Sequence, residues 1–266
     1  MNCSYHPIAE KEINEWYCNL KFQSILDHVY YEIVKNGRRF NLGEESLKSY
    51  VEIMKMAAKN AQSKNNFDEA HAYNIALVQG LFRKYFYLKD FSFSKLIDKK
   101  TYFERYTKKW QEIVKQDKEI LLNVNNKISG EKSGGVYIPF NKVAELLQDY
   151  AKKGSVQDDL NSFFGEHITI FLNSLEYAKS NNLGLLEASG IINKDFLVSS
   201  NDVSDIVIEN CDTQSLQFGS PIKSSKQEKV REIVLDLPIA KIPEVESKIE
   251  KKSLWKKYLG NILIEN

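Results

Sequence analysis

Apolar side chains at helical spacing run through most of the first 130 residues, and this periodicity limits how the chain can fold more than any other feature. Intervals of three and four positions place these side chains on one face of a helix. The predicted helices cover residues 8–35, 44–63, 68–88 and 99–128. We therefore expect residues 1–130 to form a helical bundle.

A double glycine, Gly134-Gly135, interrupts this pattern just before a β-prone run, Val136-Tyr137-Ile138, which ends at Pro139. A phosphate-binding loop requires the opposite order, with the strand before the glycines and a Gly-Lys-Ser/Thr opening a helix. The glycines are therefore interpreted as a flexible entry to a short extended segment. Helices predicted over residues 141–152 and 156–180 pack on it, in a second unit spanning 131–193.

Beyond residue 193 the pattern changes to short β-branched runs separated by Ser, Asn, Asp and Gly. Strands are predicted at residues 196–198, 206–208 and 233–235, and a final helix is predicted after Pro243. Residues 194–266 form the third predicted unit. The predicted fold class is mainly α, with a helical bundle in the N-terminal and central regions and a small β-containing C-terminal segment, α+β overall.

The balance of charge does not indicate a partner, because 37 basic side chains face 36 acidic ones. The N-terminus lacks the pattern of a signal peptide, and the sequence contains no run of about 18 uncharged apolar residues. A cytoplasmic location and no membrane partner are predicted. The three cysteines share no Cys-x-x-Cys spacing, which favours reduced thiols over disulfides or a zinc knuckle.

Catalytic motifs are weak throughout, and no Gly-x-Ser-x-Gly elbow accompanies any histidine. His28 with Glu32, and Asp68 with His71, have the spacing of two metal ligands on one helical face, although ion pairing or capping is the simpler interpretation. His167 is expected to be a partly buried, hydrogen-bonded residue. The chain is predicted to be non-enzymatic and to need no cofactor. An enzyme site assembled from scattered residues remains open, and it would require bound metal.

The most basic stretch, residues 83–115, carries ten Lys or Arg against four acidic residues, interleaved with aromatic residues. Basic side chains beside stacking rings are typical of single-stranded nucleic acid binding. The rings also fall near helical spacing, which predicts that they point inward and leave the lysines on a surface for a protein partner. The candidate partner-binding residues are Arg83, Lys84, Tyr87, Lys99, Lys100, Lys108 and Lys109.

The order Gly-Gly-Val-Tyr-Ile-Pro-x-x-Lys-Val-x-x-Leu-Leu from Gly134 is followed by Phe171-Leu172-x-x-Leu175-x-x-Ala178 and by Leu183-Gly184-Leu185-Leu186. This order resembles small bacterial domains of the YfbM-like DUF1877 type. The similarity is limited to about residues 134–193 and includes no catalytic position. It implies a cytosolic immunity protein that neutralises a toxin by direct binding. The alternative function is nucleic-acid binding through residues 83–115.

Overall fold

The computed structural model describes residues 2–19, 26–63, 67, 69–114, 127–128, 132–192 and 209–217. The strands predicted at 196–198, 206–208 and 233–235, and the helix predicted after Pro243, lie outside them.

Six described strands form one sheet in the order β3-β4-β5-β1-β2-β6. Strand β1 is central: it pairs antiparallel with β5 from Cys3↔Ser189 to Ile8↔Gly184, and antiparallel with the shorter β2 on its other side. The β2–β6 pair is parallel. The strands are β1 (Cys3–Ile8), β2 (Tyr85–Tyr87), β3 (Lys127–Ile128), β4 (Gly135–Ile138), β5 (Gly184–Ser189) and β6 (Cys211–Asp212).

Most of the other described residues are helical. The α-helices are α1 (Glu10–Ile13), α2 (Leu26–Arg39), α3 (Glu44–Ser63), α4 (Glu69–Phe82), α5 (Phe93–Lys99), α6 (Trp110–Ile113), α7 (Phe140–Ala151), α8 (Ser155–Phe164) and α9 (Ile168–Ser180). A π-helix (Asn14–Cys18) follows α1, and 3-10 helices span Thr101–Tyr106, Gly165–His167 and Gln214–Gln217.

Helices cover both faces of the sheet. Successive side chains of a strand point to opposite faces, so they enter two separate buried apolar clusters. In β2 the rings of Tyr85 and Tyr87 join the cluster shared with α3 and α4, whereas Phe86 joins the cluster shared with α7, α8 and α9. Leu185 and Leu186 of β5 divide in the same way. The described residues therefore form three layers, with the sheet in the middle.

The coarse α+β class, mainly helical, is confirmed, but residues 1–130 do not form the helical bundle predicted for them, because they contribute β1, β2 and β3 to the sheet. Ile8 was expected to begin a helix, yet it ends β1, and the helix predicted over 68–88 stops at Phe82 before β2. Pro7 was interpreted as the residue before a helix. Proline has no backbone N–H to donate to a neighbouring strand. It is tolerated in this central strand because the pairing of β1 with β2 covers only Ser4 and Tyr5 and does not reach position 7.

Other helix predictions vary in outcome. The helix predicted over 44–63 is α3, and that over 141–152 is α7 to within a residue. The helix predicted over 156–180 is divided by Gly165, whose φ of 53° ends α8. The helix predicted over 99–128 is wrong, because a 3-10 helix, an isolated bridge at Lys108 and the short α6 occupy its described part, and β3 its end.

The double glycine leads into the extended strand β4, as predicted, but its role is close packing and not the flexibility that was expected. A Cβ atom on Gly134 would lie 2.2 Å from Cβ of Ala72, so only glycine lets this segment approach α4 so closely. Gly135 opens β4 with φ of +47°, and a Cβ there would meet the carboxylate of Glu187 at 2.5 Å. The glycines thus let the chain pass close to α4 where it enters β4, which pairs with β3 and β5 in the sheet.

Candidate protein-binding surface

Residues 99–109, which we call the lysine segment, lie along α7 and α8 on one face of the sheet. At one end the Lys108 N–H donates to the Tyr137 carbonyl of β4. At the other end Tyr102 donates its hydroxyl to Asp159 of α8 at 2.9 Å. These contacts fix the backbone of the segment, so that its lysines are presented from an ordered framework.

Three of the predicted contact residues on this segment are exposed. Lys99 holds its ammonium 5.2 Å from the ring centroid of Phe163, and Lys100 forms an ion pair with Asp159 at 3.1 Å. Lys109 is exposed just before α6. Exposed ion pairs of this kind contribute little to stability, so these cations can exchange partners at low energetic cost.

Beside Lys108 and Lys109 lies a cleft of about 320 Å³, between the lysine segment and the start of α7. Lys108 pairs with Glu10 at 2.6 Å, and Lys142 pairs with Glu145 at 2.7 Å. Phe140, next to the cleft residues Pro139 and Asn141, is 40% exposed. The cleft is lined by Glu10, Thr107, Lys108, Lys109, Glu112, Pro139, Asn141 and Lys142.

The remaining predicted contact residues lie elsewhere, and two of them point into the protein. Arg83 is only 15% exposed: it pairs with Glu12 at 2.6 Å, and its guanidinium lies 5.0 Å from the ring of Trp16. Tyr87 is buried, and burial raises its pKa to about 12. Lys84 pairs with Asp212 at 2.8 Å beside β2, and two strands separate β2 from β4. The seven predicted residues therefore do not form a single site.

The aromatic residues of the basic stretch face inward, as their spacing predicted. Tyr85, Tyr87, Tyr106 and Trp110 are buried, and Tyr102 is half-buried. The indole N–H of Trp110 donates to the Gly135 carbonyl at 3.2 Å. Rings in these positions support the core and do not offer a stacking surface to nucleic acid bases.

A carboxylate on α7 organises the middle of this surface. Asp149 accepts hydrogen bonds from the Tyr106 hydroxyl at 2.8 Å, from Arg105 at 2.9 Å and from Lys152 at 3.0 Å. The hydrogen bonds from Tyr106 and Lys152 lower the pKa of the Asp149 carboxyl. The carboxylate therefore stays ionised and neutralises much of the local positive charge.

The histidines serve internal contacts where they are described. Tyr17 and His71 are joined by a buried hydrogen bond of 2.6 Å, and His167 is buried. The side chains of His28 and Asp68 lie outside the described residues. Within the described ranges, no group of three His, Cys, Asp or Glu side chains could hold a metal ion.

The α7 side of the cleft, Asn141 and Lys142, and the adjacent Phe140 were not predicted from the sequence. Pro139 was interpreted as the end of a strand and the helix was predicted to begin at Asn141, which left Phe140 without a role. No periodic signal marked Phe140, because it precedes the apolar stripe of α7, which begins at Val143.

No protein family, no curated protein and no solved structure matches the chain. Among the described residues, no helix is both long enough and apolar enough to cross a membrane.

Proposed function

We propose that the chain is a non-enzymatic, cytoplasmic bacterial protein that binds another protein, and that it acts as an immunity protein neutralising a cognate toxin. The observation that supports this best is the combined surface of the lysine segment and the α7 start. It carries exposed ammonium groups, a cleft lined by Lys108 and Lys109, and the exposed Phe140 next to the cleft residues Pro139 and Asn141. Protein interfaces combine aromatic anchors with a polar rim in this way.

The pairing of the basic side chains with carboxylates of the same chain favours a protein partner over nucleic acid. Lys100 and Lys108 already pair with carboxylates of the same chain, as does Arg105 with Asp149. A phosphate backbone would have to compete with these carboxylates, which repel it. A protein surface carries both signs of charge and can form a network with such pairs.

The proposed action is direct occlusion. The lysine segment would attract acidic residues of the toxin and speed their encounter, while Phe140 and the cleft would anchor the complex. This mechanism requires no chemistry from the chain itself, only a preorganised surface. The resemblance over residues 134–193 supports the same function, and the segment that carries it runs from β4 through α7, α8 and α9 to β5.

The test is an affinity purification of the tagged full-length protein from its native cells at moderate salt, with nuclease treatment and mass spectrometry of the eluate. The expected result is one protein at a constant ratio to the bait, which survives both treatments. Recovery of nucleic acid that is removed by salt would contradict the proposal and favour nucleic-acid binding.

A further inference from the structure

Residues 209–217 form a short segment that lies against the outer edge of β2. Its strand β6 pairs in parallel with β2 through Tyr85↔Cys211 and Phe86↔Asp212. The Tyr85 N–H donates to the Asn210 carbonyl at 3.0 Å. Within the described residues, this segment is what covers the β2 edge, since β1 occupies the other side of β2.

Two polar side chains of the segment find specific partners beneath it. The Asn210 amide donates to the Gly80 carbonyl at 2.9 Å and lies 3.4 Å from the Leu81 carbonyl, in the last turn of α4, where helical carbonyls lack intrahelical partners. Two positions later, the Asp212 carboxylate pairs with Lys84 and is only 8% exposed. An extended strand with an amide side chain and then a carboxylate at this spacing therefore fits the edge.

The same contact has two internal defects. The Ser215 hydroxyl is buried and has no hydrogen-bond partner in the described structure, while the buried Tyr85 hydroxyl lies beside the Cys211 thiol, a weak hydrogen-bond partner. A buried hydroxyl without a partner favours the open state, in which water can bind it. The ladder also consists of only two residue pairs, so detachment breaks few backbone hydrogen bonds.

We propose that residues 209–217 are a detachable strap and that the β2 edge beneath them is the docking edge for an extended segment of the partner protein. The partner segment adds to the sheet in the strap's parallel direction, placing an amide side chain over the end of α4 and a carboxylate beside Lys84. This inference rests on the proposed function in one respect, namely that the partner is a protein.

The first test follows detachment through the thiol of Cys211. All three cysteines are free; Cys3 and Cys18 are buried in the core, while Cys211 is partly exposed on the strap. In the docked strap, burial covers part of the Cys211 side chain and raises the pKa of its thiol to about 12, so reaction with 5,5′-dithiobis(2-nitrobenzoic acid) is slow there and detachment accelerates it. Cys211 should react first, without urea, and Asn210→Ala should raise its rate about fivefold through loss of the amide hydrogen bonds.

A matched control is Asn181→Ala, which removes an amide hydrogen bond of 2.8 Å to the Tyr177 carbonyl near the end of α9 and should leave the Cys211 rate unchanged. If Cys211 reacted only together with Cys3 and Cys18, at the rate of global unfolding, the strap would not be detachable and the proposal would fail.

The second test probes the edge itself with a nine-residue peptide of the strap sequence that carries Cys211→Ser. In excess, the peptide should bind the β2 edge when the strap detaches. It should then keep the strap from docking again and accelerate labelling of Cys211 in the full-length protein. The same peptide with Asp212→Lys, and a scrambled peptide, should not. A strap peptide without effect would overturn the docking edge. Both tests work without any toxin, so this inference and the proposed function can fail independently.

Discussion

His6 lies in the central strand among neutral groups, and its hydrogen bonds define its protonation state. Gln79 accepts from the imidazole Nδ1–H at 2.6 Å, and the Ser4 hydroxyl donates to Nε2 at 2.8 Å. The ring also stacks on Tyr85. Burial without a carboxylate partner lowers the pKa of His6 to about 3, so the imidazole stays neutral.

This arrangement predicts a pH-dependent stability. Between the ordinary histidine pKa of about 6.5 and about 3, the unfolded chain binds a proton at this position and the folded protein does not. The free energy of unfolding should therefore fall as the pH is lowered through this range, by up to about 1.4 kcal/mol per pH unit from His6 alone. Urea unfolding of wild type and His6→Gln between pH 7.5 and 4.5 should give a difference that shrinks toward low pH. A difference independent of pH would contradict a neutral His6.

Gly134 allows a second prediction at the same scale. Because a Cβ atom would lie 2.9 Å from the backbone of Ala72, Gly134→Ala should push β4 away from α4 and lower the free energy of unfolding by about 3 kcal/mol. Gly154→Ala is the matched control, since a Cβ there meets nothing within 4 Å, and it should cost at most about 1 kcal/mol. Urea unfolding of both variants would measure the difference, and equal losses would contradict the packing role.

Among the elements, α5 shows how a short helix is fixed to the sheet by its first turn. Its first three N–H groups are each accepted by a side chain: Phe93 by the Tyr5 hydroxyl, Ser94 by the Glu187 carboxylate and Lys95 by Ser92. Tyr5 and Glu187 belong to the adjacent strands β1 and β5. Strand side chains thus replace the hydrogen bonds that a helix start lacks.

Two substitutions of Glu187 should distinguish the contribution of its charge to stability from the contribution of its hydrogen bonds. Glu187→Gln keeps an oxygen acceptor for Ser94, whereas Glu187→Ala leaves the Ser94 N–H and hydroxyl unpaired in the core. We expect the alanine variant to be less stable than the glutamine variant by about 2 kcal/mol. Hydrogen exchange at the α5 amides should show the same order. Equal stability of the two variants would show that the hydrogen bonds do not matter.

Elements with strong amphipathic periodicity were predictable from the sequence, and so was the β-prone run of β4 before Pro139, whereas β1 and β2 were not. The apolar stripe of α3 located it correctly, because one side of that helix faces solvent. The strand Tyr85–Tyr87 was predicted as part of a helix. A fully buried strand lacks the alternation of polar and apolar residues by which a half-exposed strand is recognised. Cys3–Ile8 was missed because its partner β5 is distant in the chain and supplies the stabilising contacts.

Only part of the candidate surface was predictable from the sequence, because the exposure of a cation depends on tertiary contacts. The sequence identified Lys99, Lys100, Lys108 and Lys109 as a basic stretch, and the structure places them on one segment. It could not show that Arg83 would turn toward Glu12, because that pair depends on tertiary contact between α1 and the end of α4. The distinction between an exposed and an internal cation therefore required the fold.

For the whole molecule, the charge on one face governs the expected association with a partner. Lys99→Glu combined with Lys109→Glu should lower the affinity for the purified partner at least tenfold, mainly through a slower association rate. Lys55→Glu on α3, in the opposite helical layer, is the control and should have little effect. Biolayer interferometry at two salt concentrations would measure both rates. An unchanged association rate would place the interface elsewhere.

The central pairing of β1 with β5 also affects how the protein is made. Ser4 and Ala188 are neighbours in the sheet but lie 184 positions apart in the chain. During synthesis, the first strand leaves the ribosome long before its main partner exists. A native sheet therefore cannot close until most of the polypeptide has emerged, and such distant pairing slows folding. Until then, both edges of β1 lack their strand partners and are open to aggregation.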